Sequence, residues 1–364
     1  MDFRTELIDR STTKELTLTY RDSRPPKIIK YCLPNMTTND PFTPPRILRN
    51  PHIQSILNSV GPRKIRAKRM VQQLNSTTLI LTAKDGTRLS AEYDRSHAIR
   101  DGASSKGLII LLHGWEGSSK SAYQVTTANY LLNQGFDVLR INFRDHGDTH
   151  QLNYGLFNST LTEEVADAIA DFTTQYSYPK IFLAGFSLGA NFTLRIAADH
   201  GERLNLSAAV GICPPVDPLN AMKALNNTVF FYEKYFFYRW SNSLKKKLRY
   251  FPEYEFAEAL NSARSLNDMN DLFITQYTPF DDINSYFASY GLINDRLANL
   301  AVPAHLIATK DDPIIPVTDI QRINCPDQLS IEIQAYGGHC GFIENFAAHS
   351  WIEPRIATIF DRYL

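Results

Sequence analysis

The 364-residue chain is 43% hydrophobic and 21% charged, with 38 basic and 38 acidic side chains and no formal net charge. So even a balance supplies no domain-wide basic footprint, which argues against a phosphate-backbone binder and leaves nucleic acid out of the expected partners. No run of about 18 apolar residues is present to span a bilayer, and Asp2, Arg4 and Glu6 stand where a secretory signal would be apolar.

Four cysteines, Cys32, Cys213, Cys325 and Cys340, are spaced too widely for a C-x-x-C zinc or disulfide framework. They fit a reduced, cytoplasmic protein. Residues 1–49 are polar and interrupted by six prolines from Pro25 to Pro45, which reads as an extended arm. Asn50 then caps a helix that has Pro51 at its first position. A strand pair is predicted over Gln72 to Thr82 and Arg88 to Tyr93, joined through Lys84-Asp85-Gly86.

From Gly107 the rhythm becomes strand then helix. Apolar runs at Gly107 to Leu112, Phe136 to Asn142, Ile181 to Phe186 and Leu206 to Ile212 alternate with helical spacing at Ala122 to Leu132, Leu161 to Phe172 and Leu188 to about Asp199. Continuous rather than alternating apolar strands indicate a mostly parallel sheet covered by helices on both faces, an α/β fold. Residues 50–213 form the first part of its core. Across 214–299 the strands stop and helical segments take over, which predicts a cap or lid insertion. Residues 300–364 resume the core with a strand at Ala304 to Ala308, a helix near Val317 to Ile323, a strand at Leu329 to Ala335 and a closing helix from Trp351.

Gly185-Phe186-Ser187-Leu188-Gly189 lies where the third of those parallel strands meets a helix, the setting that defines a nucleophile elbow. The glycines answer crowding: Ser187 needs a strained turn with positive φ, and a side chain on either side would collide with a neighbouring element. A serine hydroxyl needs a base, itself oriented by a carboxylate, and in this fold they follow in the order nucleophile, acid, histidine. Two later strand ends supply them. His339, in Gly337-Gly338-His339-Cys340-Gly341-Phe342, reads as general base and then general acid. Asp312 is preferred to Asp311 as its orienter because it immediately precedes the rigid Pro313-Ile314-Ile315-Pro316; the lesser alternative is a helix cap or turn former. The oxyanion hole is expected from the backbone N–H groups of Leu188 and Trp115, the latter in the loop His113-Gly114-Trp115-Glu116-Gly117.

Two clusters leave more than one reading. Arg144 to His150 packs two histidines and two aspartates into one loop; these are metal-ligand types, but no further ligand group stands out, so hydrogen-bonding support is preferred and no metal is expected. Val229 to Trp240 is densely aromatic and runs into the basic stretch 243–249. Its plain reading is a helix packed on the core with a solvated tail. The sharper reading is an acyl pocket built from Phe230, Phe231, Tyr235 and Phe342, beside a patch at 243–249 that touches a membrane surface.

With those motifs placed, the chain resembles the α/β-hydrolases, and more narrowly the YheT-like group that includes ABHD-type lipid hydrolases. The elbow, Asn50-Pro51-His52-Ile53-Gln54-Ser55, His113-Gly114 with Gly117, Asp311-Asp312-Pro313 and the His339 loop carry the resemblance. It implies a triad of Ser187, Asp312 and His339, no cofactor, and hydrolysis of carboxylic or lipid-like esters. The Arg144 to His150 loop is richer in His and Asp than that group's usual pattern. A thioesterase or acyltransferase using the same triad, and a non-catalytic acyl-binding protein, are the alternatives; oligomeric state is left open.

Overall fold

A computed structural model describes residues 5–10, 13–18, 41–96, 104–227 and 231–364. Within the expected arm, β1 (Thr5–Arg10) and β2 (Thr13–Leu18) pair antiparallel in a small separate sheet that the sequence reading did not mark. The rest of the arm prediction lies mainly outside the described residues. Its last stretch is fixed to the core: Phe42 is buried and its N–H donates to Gln334 Oε1 at 2.9 Å, and a 3₁₀ turn at Arg46–Arg49 buries Leu48.

The Asn50 side chain accepts from the N–H groups of His52 and Ile53 and so caps α1 (Pro51–Leu57). Helix α2 (Pro62–Leu74) follows and takes the residues where the first strand was expected to begin. Its charges, Arg63, Lys64, Arg66, Lys68 and Arg69, blur any apolar stripe, and it is anchored instead by the fully buried Arg63, which pairs with Glu353 at 2.9 Å and donates to Asn58 and Thr126. Strands β3 (Thr77–Thr82) and β4 (Arg88–Asp94) turn through Gly86 at φ +87°.

The alternation then runs β5 (Leu108–Leu112), α3 (Ala122–Asn133), β6 (Asp137–Ile141), α4 (Thr162–Gln175), β7 (Ile181–Phe186), α5 (Leu188–His200) and β8 (Leu206–Ile212). Helices α6 (Pro218–Asn227), α7 (Phe231–Tyr250), α8 (Ala257–Ser262), α9 (Leu266–Tyr277) and α10 (Ile283–Ser289) form the insertion, and β9 (Ala304–Thr309), a 3₁₀ turn at Val317–Arg322, β10 (Leu329–Gln334) and α11 (Ile352–Phe360) close the chain. The sheet order is β10-β9-β8-β7-β5-β6-β4-β3, parallel except that β4 runs antiparallel to β3 and β6. This is the expected mostly parallel architecture. Buried strands explain it: Leu108, Ile110 and Leu112 of β5 enter one apolar cluster with α4 and α5, whereas Ile109 and Leu111 enter the other with α3 and α11. Strand order reverses where β7 crosses to the far side of β5, and the crevice at such a switch point is where open α/β sheets bind ligands. No helix among the described residues is long and apolar enough to cross a membrane.

Candidate active site

Ser187 sits between β7 and α5 with φ +55° and ψ −120°, a conformation that non-glycine residues adopt rarely. Neighbouring backbone leaves the flanking positions no room. A Cβ at Gly185 would lie 2.2 Å from the Gly189 carbonyl oxygen, and one at Gly189 would lie 2.4 Å from that of Leu112. The turn brings Ser187 Oγ to 2.8 Å from His339 Nε2, and His339 Nδ1 lies 2.8 Å from Asp312 Oδ2. Three strand ends more than a hundred residues apart in part thus meet at one edge.

The other Asp312 oxygen accepts the N–H groups of Ile314 and Ile315 at 2.8 and 2.9 Å, so the turn before Pro316 fixes the carboxylate that faces the imidazole. Because a carboxylate only accepts, His339 Nδ1 carries the proton and Nε2 is free to accept from Ser187. Burial pulls the His339 pKa down, but the charge and hydrogen bond of Asp312 outweigh it, leaving the ring raised to about 9. Asp311 faces elsewhere, accepting the Gly338 N–H at 2.9 Å.

Trp115 follows β5, and the two polar backbone groups of Gly114 before it are already used: Tyr123 Oη accepts its N–H at 2.9 Å, and its carbonyl accepts from His113 Nδ1 at 2.8 Å. His113 Nε2 in turn accepts the Phe143 N–H, so this histidine holds the loop. The N–H groups of Trp115 and Leu188 meet no protein acceptor among the described residues, and both residues line the same cavity as Ser187.

Sequence reasoning read Asn50 to Ser55 as a capped helix and missed its larger task. Ser55 Oγ accepts the His339 N–H at 2.8 Å, and the buried Gln54 accepts the Ile343 N–H while donating to the carbonyls of Leu48 and Ile343. Helix α1 therefore clamps both sides of the histidine loop. A Cβ at Gly338, whose φ is +53°, would lie 2.3 Å from the Pro51 carbonyl oxygen, which accounts for the glycine there.

Two cavities flank Ser187 and His339. The inner one, of about 140 Å³, lies between core and cap and is lined largely by apolar side chains, among them Leu156, Met222, Trp240, Phe273 and Ile315. The outer one, of about 740 Å³, opens between α1, α2 and the start of α7 and includes Phe231 and Tyr235. Phe230 lies outside the described residues. Glu116, unmarked in the sequence, has φ +56° and lines both cavities, and burial raises its carboxyl to about 7.

Two expectations are corrected. Phe342 lines neither cavity: Cys340 and Phe342 both have positive φ, and the chain turns the phenyl ring into the core against Phe42 and Trp351. The stretch 243–249 is an open basic patch only in part, with Lys245 and Arg249 exposed and the rest tied down. Leu244 and Lys247 are buried, Lys247 pairs with Asp145 at 2.7 Å and donates to the carbonyls of Asn153 and Gly155, and Lys246 pairs with Asp148. The Arg144 to His150 loop thereby ties β6 to the cap. Among the cysteines, Cys213 and Cys340 are free and buried, but Cys325 is disulfide-bonded, so the thiols are not all reduced.

A switch-point crevice with a serine on a strained strand-to-helix turn, under a helical insertion, defines an α/β hydrolase. The chain belongs to the alpha/beta hydrolase fold family, whose model matches residues 107–346. It is similar to the candidate esterase YheT of Escherichia coli (strain K12), at 24% identity over 89% of this chain and 94% of that protein. It is also similar to phospholipase ABHD3 of Mus musculus, at 24% identity over 82% of this chain and 72% of that one. Among solved structures, the Pyrococcus furiosus esterase Pf2001 matches with a TM-score of 0.55 at 16% identity, over 90% of this chain and 99% of its own.

Proposed function

We propose that the protein is a serine esterase that cleaves carboxylic esters of short to medium acyl chains through an acyl-enzyme on Ser187. The observation that carries this reading is the unbroken hydrogen-bond chain from Asp312 through His339 to Ser187 Oγ, 2.8 Å at each link. His339 Nε2 takes the hydroxyl proton as Oγ attacks the ester carbon, and Asp312 steadies the imidazolium that forms. The N–H groups of Leu188 and Trp115 stabilise the tetrahedral oxyanion, helped by the positive end of α5. Collapse expels the alcohol, protonated by His339. Water then repeats the sequence on the acyl-enzyme.

The inner cavity takes the acyl group and the outer one the departing alcohol. Apolar cavities of about 150 Å³ accept benzene-sized ligands, so the inner cavity suits an acyl chain of roughly six carbons. The outer cavity is also large enough to admit an acceptor alcohol, which favours acyl transfer as a second reading. A fluorophosphonate probe tests the main proposal: a single adduct on Ser187, absent in Ser187→Ala, is expected, and no adduct on the wild type refutes it. Ester formation with added alcohol would separate transfer from hydrolysis.

A further inference from the structure

The Arg144 to His150 loop holds a histidine that the reaction above does not use. His146 is 3% exposed and packs against the rings of His113, Phe143 and Phe157 at 4.6–6.0 Å. Its Nδ1 lies 2.8 Å from the Arg144 carbonyl oxygen. A carbonyl oxygen can only accept, so Nδ1 carries the proton and Nε2 keeps a bare lone pair. That atom is shut off from bulk solvent and meets no hydrogen-bond partner among the described residues. Buried acceptors are normally satisfied, and an orphan calls for an explanation.

The His146 ring borders the inner cavity together with Ser187 and His339, and on another side a cavity of about 360 Å³ beside His150 and Arg239; of the two, only the inner one also holds Ser187 and His339. Neighbouring polar groups do not compete for it. Asp145 is taken up by Lys247 and by the Phe157 N–H, and Ser243 Oγ donates to the Asp145 carbonyl. His113 differs in having both ring nitrogens engaged. Burial also lowers the His146 pKa to about 4, so near neutrality the ring is an acceptor at Nε2 and not a donor. The Arg239 charge, which acts on the His146 ring, disfavours an ammonium donor there and leaves a neutral one.

We infer that the inner cavity recognises an acyl group bearing a hydroxyl, which donates a hydrogen bond to His146 Nε2. This rests on the esterase reading and adds a substrate class to it. A plain acyl chain leaves the buried nitrogen unpaired, and sites that hydrogen-bond a substrate hydroxyl reject analogues lacking it far more strongly than an apolar pocket distinguishes chain lengths.

The test uses the full chain with methyl hexanoate and its 2-, 3- and 6-hydroxy derivatives, each kcat/KM normalised to that ester's rate of alkaline hydrolysis. At least one hydroxy ester is expected to exceed methyl hexanoate by about tenfold or more, mostly through KM. In His146→Phe the ratio should fall to about one, whereas His146→Gln, which keeps an acceptor oxygen, should restore part of it. Hydrolysis of methyl hexanoate with no preference for any hydroxy ester in the wild type overturns the inference alone, and needs no variant to fold. An undiminished ratio in a folded His146→Phe overturns it too. Hydrolysis of none of the esters overturns the esterase reading, and this inference with it.

Discussion

Asp312→Asn would test the electrostatic logic of the site most sharply. One Asp312 oxygen accepts from Ile314 and Ile315, so an asparagine there keeps its carbonyl on those two N–H groups and turns its NH₂ towards His339. Nδ1 must then accept, the proton moves to Nε2, and the imidazole presents a donor to Ser187 Oγ where catalysis needs an acceptor. The wrong tautomer at a comparable serine site lowers kcat by about 10⁴. At about 1.4 kcal/mol per tenfold this is roughly 5.5 kcal/mol of lost transition-state stabilisation. The same substitution removes the charge that opposes burial at His339. In the wild type only the neutral ring can take the proton, so kcat/KM should climb as pH rises through a group raised from 6.5 to about 9. In the variant the residual activity should titrate well below the wild-type value, because desolvation is then opposed by Cys340 alone. Initial rates with p-nitrophenyl butyrate between pH 5 and 10, corrected for spontaneous hydrolysis, read both effects. A loss under tenfold, or a wild-type profile flat above pH 7, would refute the reasoning.

Ser55→Ala removes the acceptor of the His339 N–H, and should cost about 1 kcal/mol of stability by urea unfolding and lower kcat/KM more than it changes KM. Gly189→Ala places a Cβ 2.4–2.5 Å from the backbone oxygens of Leu112 and His113, which cannot swing away; a destabilisation of about 3 kcal/mol, read as a lower urea midpoint, is expected. Lys247→Met strands the buried Asp145 carboxyl and should cost about 3–5 kcal/mol near neutrality. Burial already raises the folded pKa of Asp145, and losing Lys247 raises it further. Below both the folded and unfolded pKa the group is protonated in either state, so the penalty should shrink towards pH 4, and a pH-independent loss would contradict the assignment. Across p-nitrophenyl esters, kcat/KM should peak near six acyl carbons, and a maximum at sixteen would show that the inner cavity is not the acyl site.

What the sequence disclosed follows from how local the signals are. Gly185-Phe186-Ser187-Leu188-Gly189, Asp312-Pro313 and Gly337-Gly338-His339 each carry their turn chemistry within a few residues, and the sheet's apolar runs announce themselves, so the fold and the residues that meet at Ser187 were legible. Partners distant along the chain were not. The basic run read as a solvated tail because nothing near Lys247 indicates that Asp145, 102 residues earlier, will bury it. Helix α2 hid behind its charges, since the contacts that place it run from Arg63 to Glu353, 290 residues on. Phe342 looked like pocket lining because the positive-φ positions that turn its ring inward, Cys340 and Phe342, are not themselves glycines.

The clamp of α1 on the histidine loop bears on how short a working version of this protein can be. The family-matched stretch ends at residue 346 and begins at 107, so a polypeptide trimmed to it would carry Ser187, Asp312 and His339 yet lose Gln54, Ser55, Arg63 and Glu353. Such a fragment keeps the hydrogen-bonded Asp312–His339–Ser187 chain but discards the bracing of its histidine loop. A minimal design should therefore start no later than Asn50 and retain α11.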